Sequence, residues 1–303
     1  MEDEAESLTP EDIEKWKKAG RIAAQALDYG KDLIKKGASL REVSDLIEKK
    51  IVDLGAIPAF PVQISCDHIA AHYCADPDDE TLFENQVACL DIGACVDGAV
   101  GDNALTVDLS GKYSDLVKAS REAVNNAVKM VQIGTTLGEI GKTIQETISS
   151  HGFSPIKNLS GHGLDYYDIH TDPTIPNFDT GDETEIEPNM CIAIEPFATN
   201  GAGLIYESER ANIFMLANPK PVRSPFAREI LKFIGENYKT LPFTTRWLSA
   251  KFGLGKTRFA LRELLKNGII KQFPPLVEKN KGLVSQAEHT LLITDKVEVI
   301  TKP

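Results

Sequence analysis

The stretch of sequence that decides the fold covers residues 87–109 and reads VACLDIGACVDGAVGDNALTVDL. Two apolar runs flank the dipeptide Asp97-Gly98. This dipeptide is typical of a tight hairpin turn, because both of its residues tolerate positive φ. We therefore predict two antiparallel strands, Val87–Cys95 and Ala99–Leu109, joined by that turn.

Each predicted strand carries an aspartate inside an apolar run, Asp91 in the first and Asp102 in the second. A buried charge is expensive unless it is paired or bound to a cation. A turn at Asp97-Gly98 puts the two aspartates on one face, one bulge away from direct opposition and about 5 Å apart at Cβ. Two carboxylates that close do not both ionise without a cation between them. In the alternative reading, one points to solvent and the other caps a turn.

The segments around this hairpin follow an order of helix, helix and strands that occurs twice. The first helix begins after the cap residue Thr9 and stops at Gly37, and the second runs from Ser39 to about Gly55. Later segments are predicted as helices at 114–131 and 137–151, a loop-rich region at 152–188 and strands at 190–194 and 213–216. The repeated order indicates an ancestral duplication, although no residue-level repeat accompanies it.

The character of the chain changes at Pro219. Short helices are predicted at 227–237, 245–252 and 256–267, followed by a turn-rich β segment, and two short strands close the chain. This pattern is that of a small winged-helix insertion. We predict a catalytic domain made of residues 1–217 and 283–303, with residues 218–282 as the insertion.

Composition narrows the class of protein. The 303 residues are 42% hydrophobic and 26% charged, and no run approaches the roughly 20 apolar residues of a membrane span. The start, Met1–Glu6, is acidic and lacks the pattern of a signal peptide, and the five cysteines form no C-x-x-C pair. The net charge of −12 argues against nucleic acid as a partner. We expect a soluble cytoplasmic protein.

Two glutamates and three histidines complete the candidate site. Glu195 and Glu288 each lie at the end of an apolar run, His162 stands between two glycines, and the last two candidates are His170 and His72. Each histidine taken alone is more often a hydrogen-bonded core residue than a ligand. Together, four carboxylates and one imidazole suit Mn, Fe, Co or Zn. A centre of two such ions would activate a water and polarise a carbonyl.

Several motifs are familiar at this point: PAFPV at 58–62, AAHY at 70–73, LDIG at 90–93, GDNALTV at 101–107, NLSGH at 158–162, AIEPFAT at 193–199 and QAEHT at 286–290. In this order they resemble the methionine aminopeptidases, specifically the short archaeal form of type 2. The resemblance implies an α/β (α+β) pita-bread fold of two pseudo-symmetric halves with a winged-helix-like α-helical insertion. It also implies removal of an N-terminal methionine that precedes a small, uncharged residue, by a hydroxide activated by two metals.

The resemblance further implies a role for each metal ligand. Asp91 would chelate one ion, Asp102 and Glu288 would bridge both, and His162 and Glu195 would complete the second. The two divalent ions would be Co, Mn, Fe or Zn. Glu195 would also shuttle a proton during catalysis.

The substrate contacts follow from the same resemblance. His170 would bond the scissile carbonyl oxygen, and His72 would contact the substrate's amide or terminal amine. Phe60, Ile169 and Phe197 match the methionine pocket, with plain core packing as the alternative. The implied partners are the N-termini of nascent polypeptides at the ribosome, bound by a monomer. The charged N-terminal extension of eukaryotic relatives is missing, which removes support for ribosome docking through such an arm.

Three other readings compete. Aminopeptidase P and prolidase share the five ligands but usually carry a large N-terminal domain, whereas only about 55 helical residues precede Pro58 here. A non-catalytic homologue would have lost ligands, and this chain keeps all five. A DNA reader would use Lys251, Lys256, Arg258 and Arg262 of the insertion, but the acidic total and the family role of the insertion as a pocket wall oppose it.

Overall fold

The computed structural model describes residues 8–208 and 210–302. The acidic start, Met1–Glu6, on which the signal-peptide expectation rests, lies outside the described residues. The helices are α1 (Pro10–Leu33), α2 (Leu40–Asp53), α3 (Ser114–Met130), α4 (Leu137–Ser150), α5 (Pro225–Asn237), α6 (Thr245–Phe252) and α7 (Leu254–Lys266).

The strands are short except in the two central hairpins. They are β1 (Ile57–Pro58), β2 (Gln63–Cys66), β3 (Ile69–Ala71), β4 (Val87–Val96), β5 (Ala99–Asp108), β6 (Ser154–Pro155), β7 (Ser160–Asp165), β8 (Asp168–Pro176), β9 (Met190–Ile194), β10 (Phe197–Thr199), β11 (Ile205–Glu207), β12 (Ile213–Leu216), β13 (Phe243–Thr244), β14 (Ile270–Phe273), β15 (Leu276–Glu278), β16 (Val284–Gln286), β17 (His289–Ile293) and β18 (Val297–Val299).

The first half of the chain packs two helices over one sheet. Thr9 caps α1 through a reciprocal capping box with Asp12, which satisfies N–H groups that a helix start leaves free. The buried sides of α1 and α2 lie over the sheet formed by β1, β2, β4 and β5. The core between them is built mainly from aliphatic side chains such as Ile47, Ile64 and Leu90.

The second half repeats that order. Helices α3 and α4 cover a five-stranded sheet with the strand order β18-β17-β9-β7-β8, and Ile140, Ile144 and Ile192 lie in the core beneath them. The predicted repetition of helix, helix and strands is therefore observed.

The two halves meet where β5 lies beside β17. The backbone N–H of Asp102 donates to the Thr290 hydroxyl at 2.8 Å, and that hydroxyl donates to the Asp102 carbonyl at 2.7 Å. The backbone N–H of Glu288 donates to the Ala104 carbonyl at 3.0 Å. Because these bonds involve two candidate metal ligands, the joint between the halves also builds the site.

The region predicted as loop-rich at 152–188 contains a β-hairpin, β7 and β8, which the prediction missed. These strands carry little hydrophobic alternation of their own. Strand β7 pairs with both β8 and β9, and two glycines allow other parts of the backbone to approach closely. A Cβ at Gly161 would collide with the Ala193 carbonyl, and one at Gly163 with the Asp172 carbonyl.

The predicted insertion contains α5, α6 and α7 around a core that includes Phe243, Leu248 and Leu264. The division of the chain at 218 and 282 stays a prediction. The sheets cross it, because β12 pairs with β13 and β14, while β15 pairs with β3 and β11. Across residues 8–208 and 210–302, no helix combines the length and the apolar character needed to cross a bilayer.

Candidate active site

The aspartate pair lies on the β4–β5 hairpin. The ladder is regular, with Gly93 opposite Asp102 and Asp91 opposite Ala104. The expectation that both aspartates share a face is therefore confirmed, since opposite residues and their second neighbours point to the same side. The expectation of near-direct opposition is wrong, because the strands lack the bulge it needed. The two residues are diagonal neighbours, a relation in which residues are typically about 7–8 Å apart, somewhat less between Cβ atoms, rather than the expected 5 Å.

The second half supplies the other three candidate ligands. His162 on β7 lies opposite Ala193, and Glu195 directly follows β9 while Glu288 directly precedes β17. The last registered pair of these two strands is His289 with Ile194, so the next position brings Glu288 opposite Glu195. Strand pairing thus gathers residues that are far apart in the chain.

These side chains converge closely. Ligand atoms of Asp102, His162 and Glu288 all lie within 4.8 Å of one another. The Nε2 atom of His162 is 3.9 Å from Oδ2 of Asp102 and 3.6 Å from Oε1 of Glu195. Such a group of oxygens and one imidazole nitrogen is a candidate site for a divalent cation.

Several carboxylate oxygens of this cluster lack hydrogen-bond donors. Among the described residues, Oδ1 of Asp91, Oδ1 of Asp102 and both carboxylate oxygens of Glu288 are buried without a partner. Burial raises the pKa of Asp91 to about 7. Burial and then the charge of Asp91 raise the pKa of Asp102 well above its usual range. Burial and neighbouring carboxylates do the same to the pKa values of Glu195 and Glu288. Bound cations would supply the missing compensation, so the residues fit divalent metal.

His162 is set up as a neutral ligand. Its Nδ1 lies 3.1 Å from the Gly163 carbonyl oxygen. A carbonyl only accepts, so Nδ1 carries the proton and the Nε2 lone pair faces the carboxylates. Burial, followed by nearby His170, lowers the pKa of His162 to about 3. The neutral imidazole is the form that binds metal.

All ten residues named from the sequence line one cavity of about 610 Å³. They are Phe60, His72, Asp91, Asp102, His162, Ile169, His170, Glu195, Phe197 and Glu288. Phe60, Ile169 and Phe197 are buried and form an apolar part of the wall. Their roles stay predictions, but the structure brings the whole set together.

A family model decides the assignment. The model for metallopeptidase family M24 matches residues 14–295. The chain belongs to family M24. A methionine aminopeptidase from Archaeoglobus fulgidus is 44% identical over 95% of this chain and 97% of that protein. A methionine aminopeptidase from Methanocaldococcus jannaschii is 42% identical, with coverage of 96% and 99%. Within M24, the resemblance to methionine aminopeptidases is thus confirmed, and the relatives are archaeal as that resemblance implies.

Solved structures of this M24 fold agree. A methionine aminopeptidase from Thermotoga maritima superposes with a TM-score of 0.71 at 26% identity, covering 97% of this chain and 98% of that one. A thermophilic Arx1 reaches a TM-score of 0.85 at 17% identity, covering 98% and 92%. A prolidase from Pyrococcus furiosus reaches 0.63 at 21% identity, and this chain covers 65% of its length. The last two show the fold alone, and the expected pita-bread fold is confirmed.

Sequence reasoning missed two glutamines of this M24 site. Gln286 donates from Nε2 to Oε2 of Glu195 at 3.1 Å, and its side chain also lowers the pKa of Asp91 against the larger effect of burial. Gln63 lines the cavity and lies opposite Asp91 in the β2–β4 ladder. Gln286 stands within the QAEHT motif, which was a signal, whereas nothing in the sequence around Gln63 indicated its position.

Proposed function

We propose that the chain is a metallo-aminopeptidase that removes an N-terminal methionine when the second residue is small and uncharged. The observation that carries this proposal is a cluster of carboxylates with buried oxygens that lack donors, next to a neutral imidazole and an apolar pocket in the same cavity. The names of the archaeal relatives support methionine as the residue removed.

Five side chains would hold two divalent ions drawn from Co, Mn, Fe or Zn. These side chains are Asp91, Asp102, His162, Glu195 and Glu288. Divalent ions in such a cage lower the pKa of water and polarise a carbonyl group.

The apolar wall would receive the methionine side chain. Phe60, Ile169 and Phe197 are each at most 5% exposed, so a thioether entering beside them loses contact with water. A pocket of limited size with apolar walls selects an unbranched, flexible side chain. Selection against a large second residue would come from the remaining wall of the cavity.

His72 would accept a hydrogen bond from the substrate. Its Nδ1 lies 3.3 Å from the Pro274 carbonyl oxygen, which requires the proton on Nδ1 and leaves Nε2 as an acceptor. Burial, followed by His170, lowers the pKa of His72 to about 4, so the ring is neutral at working pH. A neutral acceptor suits an amide or terminal amine N–H.

His170 and Glu195 would serve the reacting centre. The His170 ring lies edge-on to the His162 ring, with 4.7 Å between centroids, and burial followed by Lys271 lowers the pKa of His170. From this position it would donate to the scissile carbonyl oxygen, where negative charge develops. Burial and the neighbouring aspartates raise the pKa of Glu195, which suits a group that takes up and returns a proton.

The rival readings have less support. The prolidase likeness is below 25% identity and carries only the fold, and the cavity keeps the full ligand set that a non-catalytic homologue would lack. In the insertion, Lys256 contacts Glu229 at 2.7 Å and Arg258 contacts Asp78 at 3.5 Å, which reduces the basic face that a DNA reader needs. We propose cytoplasmic action on nascent chains, as a monomer.

A peptide panel tests the proposal. Chelator-treated protein supplied with Mn or Co should release methionine from Met-Ala-Ser but not from Met-Lys or Met-Glu peptides. Release of a non-methionine residue from Xaa-Pro peptides would favour the proline peptidases instead. Without added metal, no release is expected.

A further inference from the structure

His72 has an unusual backbone conformation. Its φ is +63°, in the left-handed region that a residue with a Cβ rarely occupies. Such a residue persists only when its surroundings hold it there. Because the ring reaches the substrate cavity, whatever holds the backbone also sets where the ring points.

The hold on the backbone comes from Gln63. The backbone N–H of His72 donates to Oε1 of Gln63 at 2.6 Å. Gln63 is 7% exposed and belongs to β2, so its own backbone is fixed by pairing with β4. One residue further along both segments, the backbones bond directly: the Ile64 N–H donates to the Tyr73 carbonyl at 2.9 Å. The amide oxygen of Gln63 therefore takes the place of a ladder bond where the chain turns out of the sheet.

The His72 ring is held by residues at and just after the end of β14. The Pro274 carbonyl accepts from Nδ1, and the Phe273 ring lies edge-on at 5.7 Å between centroids. Backbone and ring are thus fixed by different elements. Loss of the Gln63 contact would let the backbone of His72 relax to negative φ and swing the ring away from Pro274.

We propose that Gln63 is a positioning residue for substrate binding, because its amide oxygen holds His72 in the left-handed conformation that directs the ring at the substrate. This inference rests on the proposed function, in which His72 contacts the peptide. A carboxylate at position 63 would accept the same bond but add negative charge opposite Asp91. The neutral amide therefore suits this position.

The test compares Gln63→Met with Ser65→Ala. Methionine has nearly the length of glutamine and no strong acceptor. Ser65 is a matched control on the same strand, since its hydroxyl accepts from the Tyr73 N–H at 3.4 Å and not from His72. Gln63→Met should lower kcat/KM for Met-Ala-Ser roughly ten- to a hundredfold, as expected for loss of a buried hydrogen bond. Ser65→Ala should stay within about twofold of the wild type.

A double variant separates positioning from general damage. If Gln63 acts through His72, then Gln63→Met combined with His72→Ala should be no slower than His72→Ala alone. The proposal would be overturned if the losses in kcat/KM of the two single variants multiplied in the double variant. It would also be overturned by wild-type kinetics in Gln63→Met, or by equal losses in Gln63→Met and Ser65→Ala. Gln63→Asn keeps the amide but is one methylene shorter, so it should show the same pattern and serves if the methionine variant does not fold.

A measurement without turnover distinguishes this inference from the proposed activity. In the metal-free protein, the NMR resonance of the His72 ring should shift in Gln63→Met and stay in place in Ser65→Ala. An unmoved resonance in Gln63→Met would refute the positioning role even if the peptide panel succeeds. A shifted resonance would sustain it even if methionine is not released.

Discussion

Two kinds of buried carboxylate occur in this molecule, and their surroundings differ. Glu278 is fully buried and accepts backbone N–H groups at 2.7–3.1 Å from Gly203, Asn280 and Gly282. Oxygen atoms of Asp102 and Glu288, equally enclosed, accept nothing from the part of the chain that the structure describes. The protein itself stabilises the carboxylate of Glu278. The ionised carboxylates of Asp102 and Glu288 would instead need a bound cation.

Glu48 extends the comparison to the contact between the first half and the insertion. Its carboxylate accepts from both terminal nitrogens of Arg246 at 2.8 and 2.7 Å, and from Trp247 Nε1 at 2.8 Å. It also accepts the Val62 backbone N–H. Burial of an acid is therefore no sign of function in this fold. Burial without donors is, because the ionised form of the acid then needs a cation to offset its desolvation.

The largest effect on activity should follow from changing a carboxylate of the candidate metal site. Asp102→Asn should abolish methionine release, because a proposed metal ligand is lost, while the fold is retained. Metal-free Asp102→Asn should unfold at a higher temperature than metal-free wild type, since an acid whose ionisation is penalised by burial has been removed. Added Mn should raise the wild-type unfolding temperature, with a stabilisation of about 2.7 kcal/mol at a hundredfold excess over Kd, and should raise that of the variant much less.

Asp97→Asn is the matched control for this prediction. Asp97 lies in the turn of the same hairpin, is exposed and has a φ of +51°, which asparagine tolerates. It should keep wild-type activity and metal response. Turnover at the wild-type rate in Asp102→Asn would remove the metal argument.

Breaking the ion pair between Glu48 and Arg246 should have a smaller effect, and it should lower stability rather than activity. Glu48→Ala leaves the buried Arg246 guanidinium without its main partner and should lower the free energy of unfolding by about 3–5 kcal/mol. Activity of the folded protein should change little, since Glu48 does not line the cavity. Denaturant unfolding and kcat/KM measure the two quantities. Asp45→Ala, which removes the half-exposed partner of Arg246, should cost less than about 1 kcal/mol; an equal loss would contradict the contrast.

The smallest effect concerns a surface carboxylate that has donors. Hydrogen bonds from Thr9, then from the Tyr166 hydroxyl, lower the pKa of Asp12 from 3.8 to about 2. The stability this provides is present above pH 3.8 and is lost as pH falls through about 2. Thermal unfolding of Asp12→Asn should therefore show a shallower decline between pH 4 and 2 than the wild type. Parallel curves would show that these bonds do not favour the ionised form.

The sequence predicted regular elements well where local pattern governs them. The observed bounds of α6 and β9 equal those predicted, and the Asp97-Gly98 turn sets the hairpin register. The prediction failed for β7 and β8, whose strands depend on a neighbour and on two glycines rather than on apolar alternation. The pairing error for Asp91 and Asp102 arose from an assumed bulge that the ladder does not contain.

Local chemistry, readable in the residues themselves, was enough for the helix caps, the hairpin and the choice of candidate carboxylates and histidines, because capping, turn preference and period depend on near neighbours. Phe60, Ile169 and Phe197 were named only through the resemblance to methionine aminopeptidases. Tertiary structure alone decided which buried acids lack donors, and that Gln63 and Gln286 hold His72 and Glu195. Those contacts join residues that are 9 and 91 positions apart in the chain. Whether a buried polar group finds a hydrogen-bond partner depends on every chain segment around it, and no local sequence pattern specifies those segments.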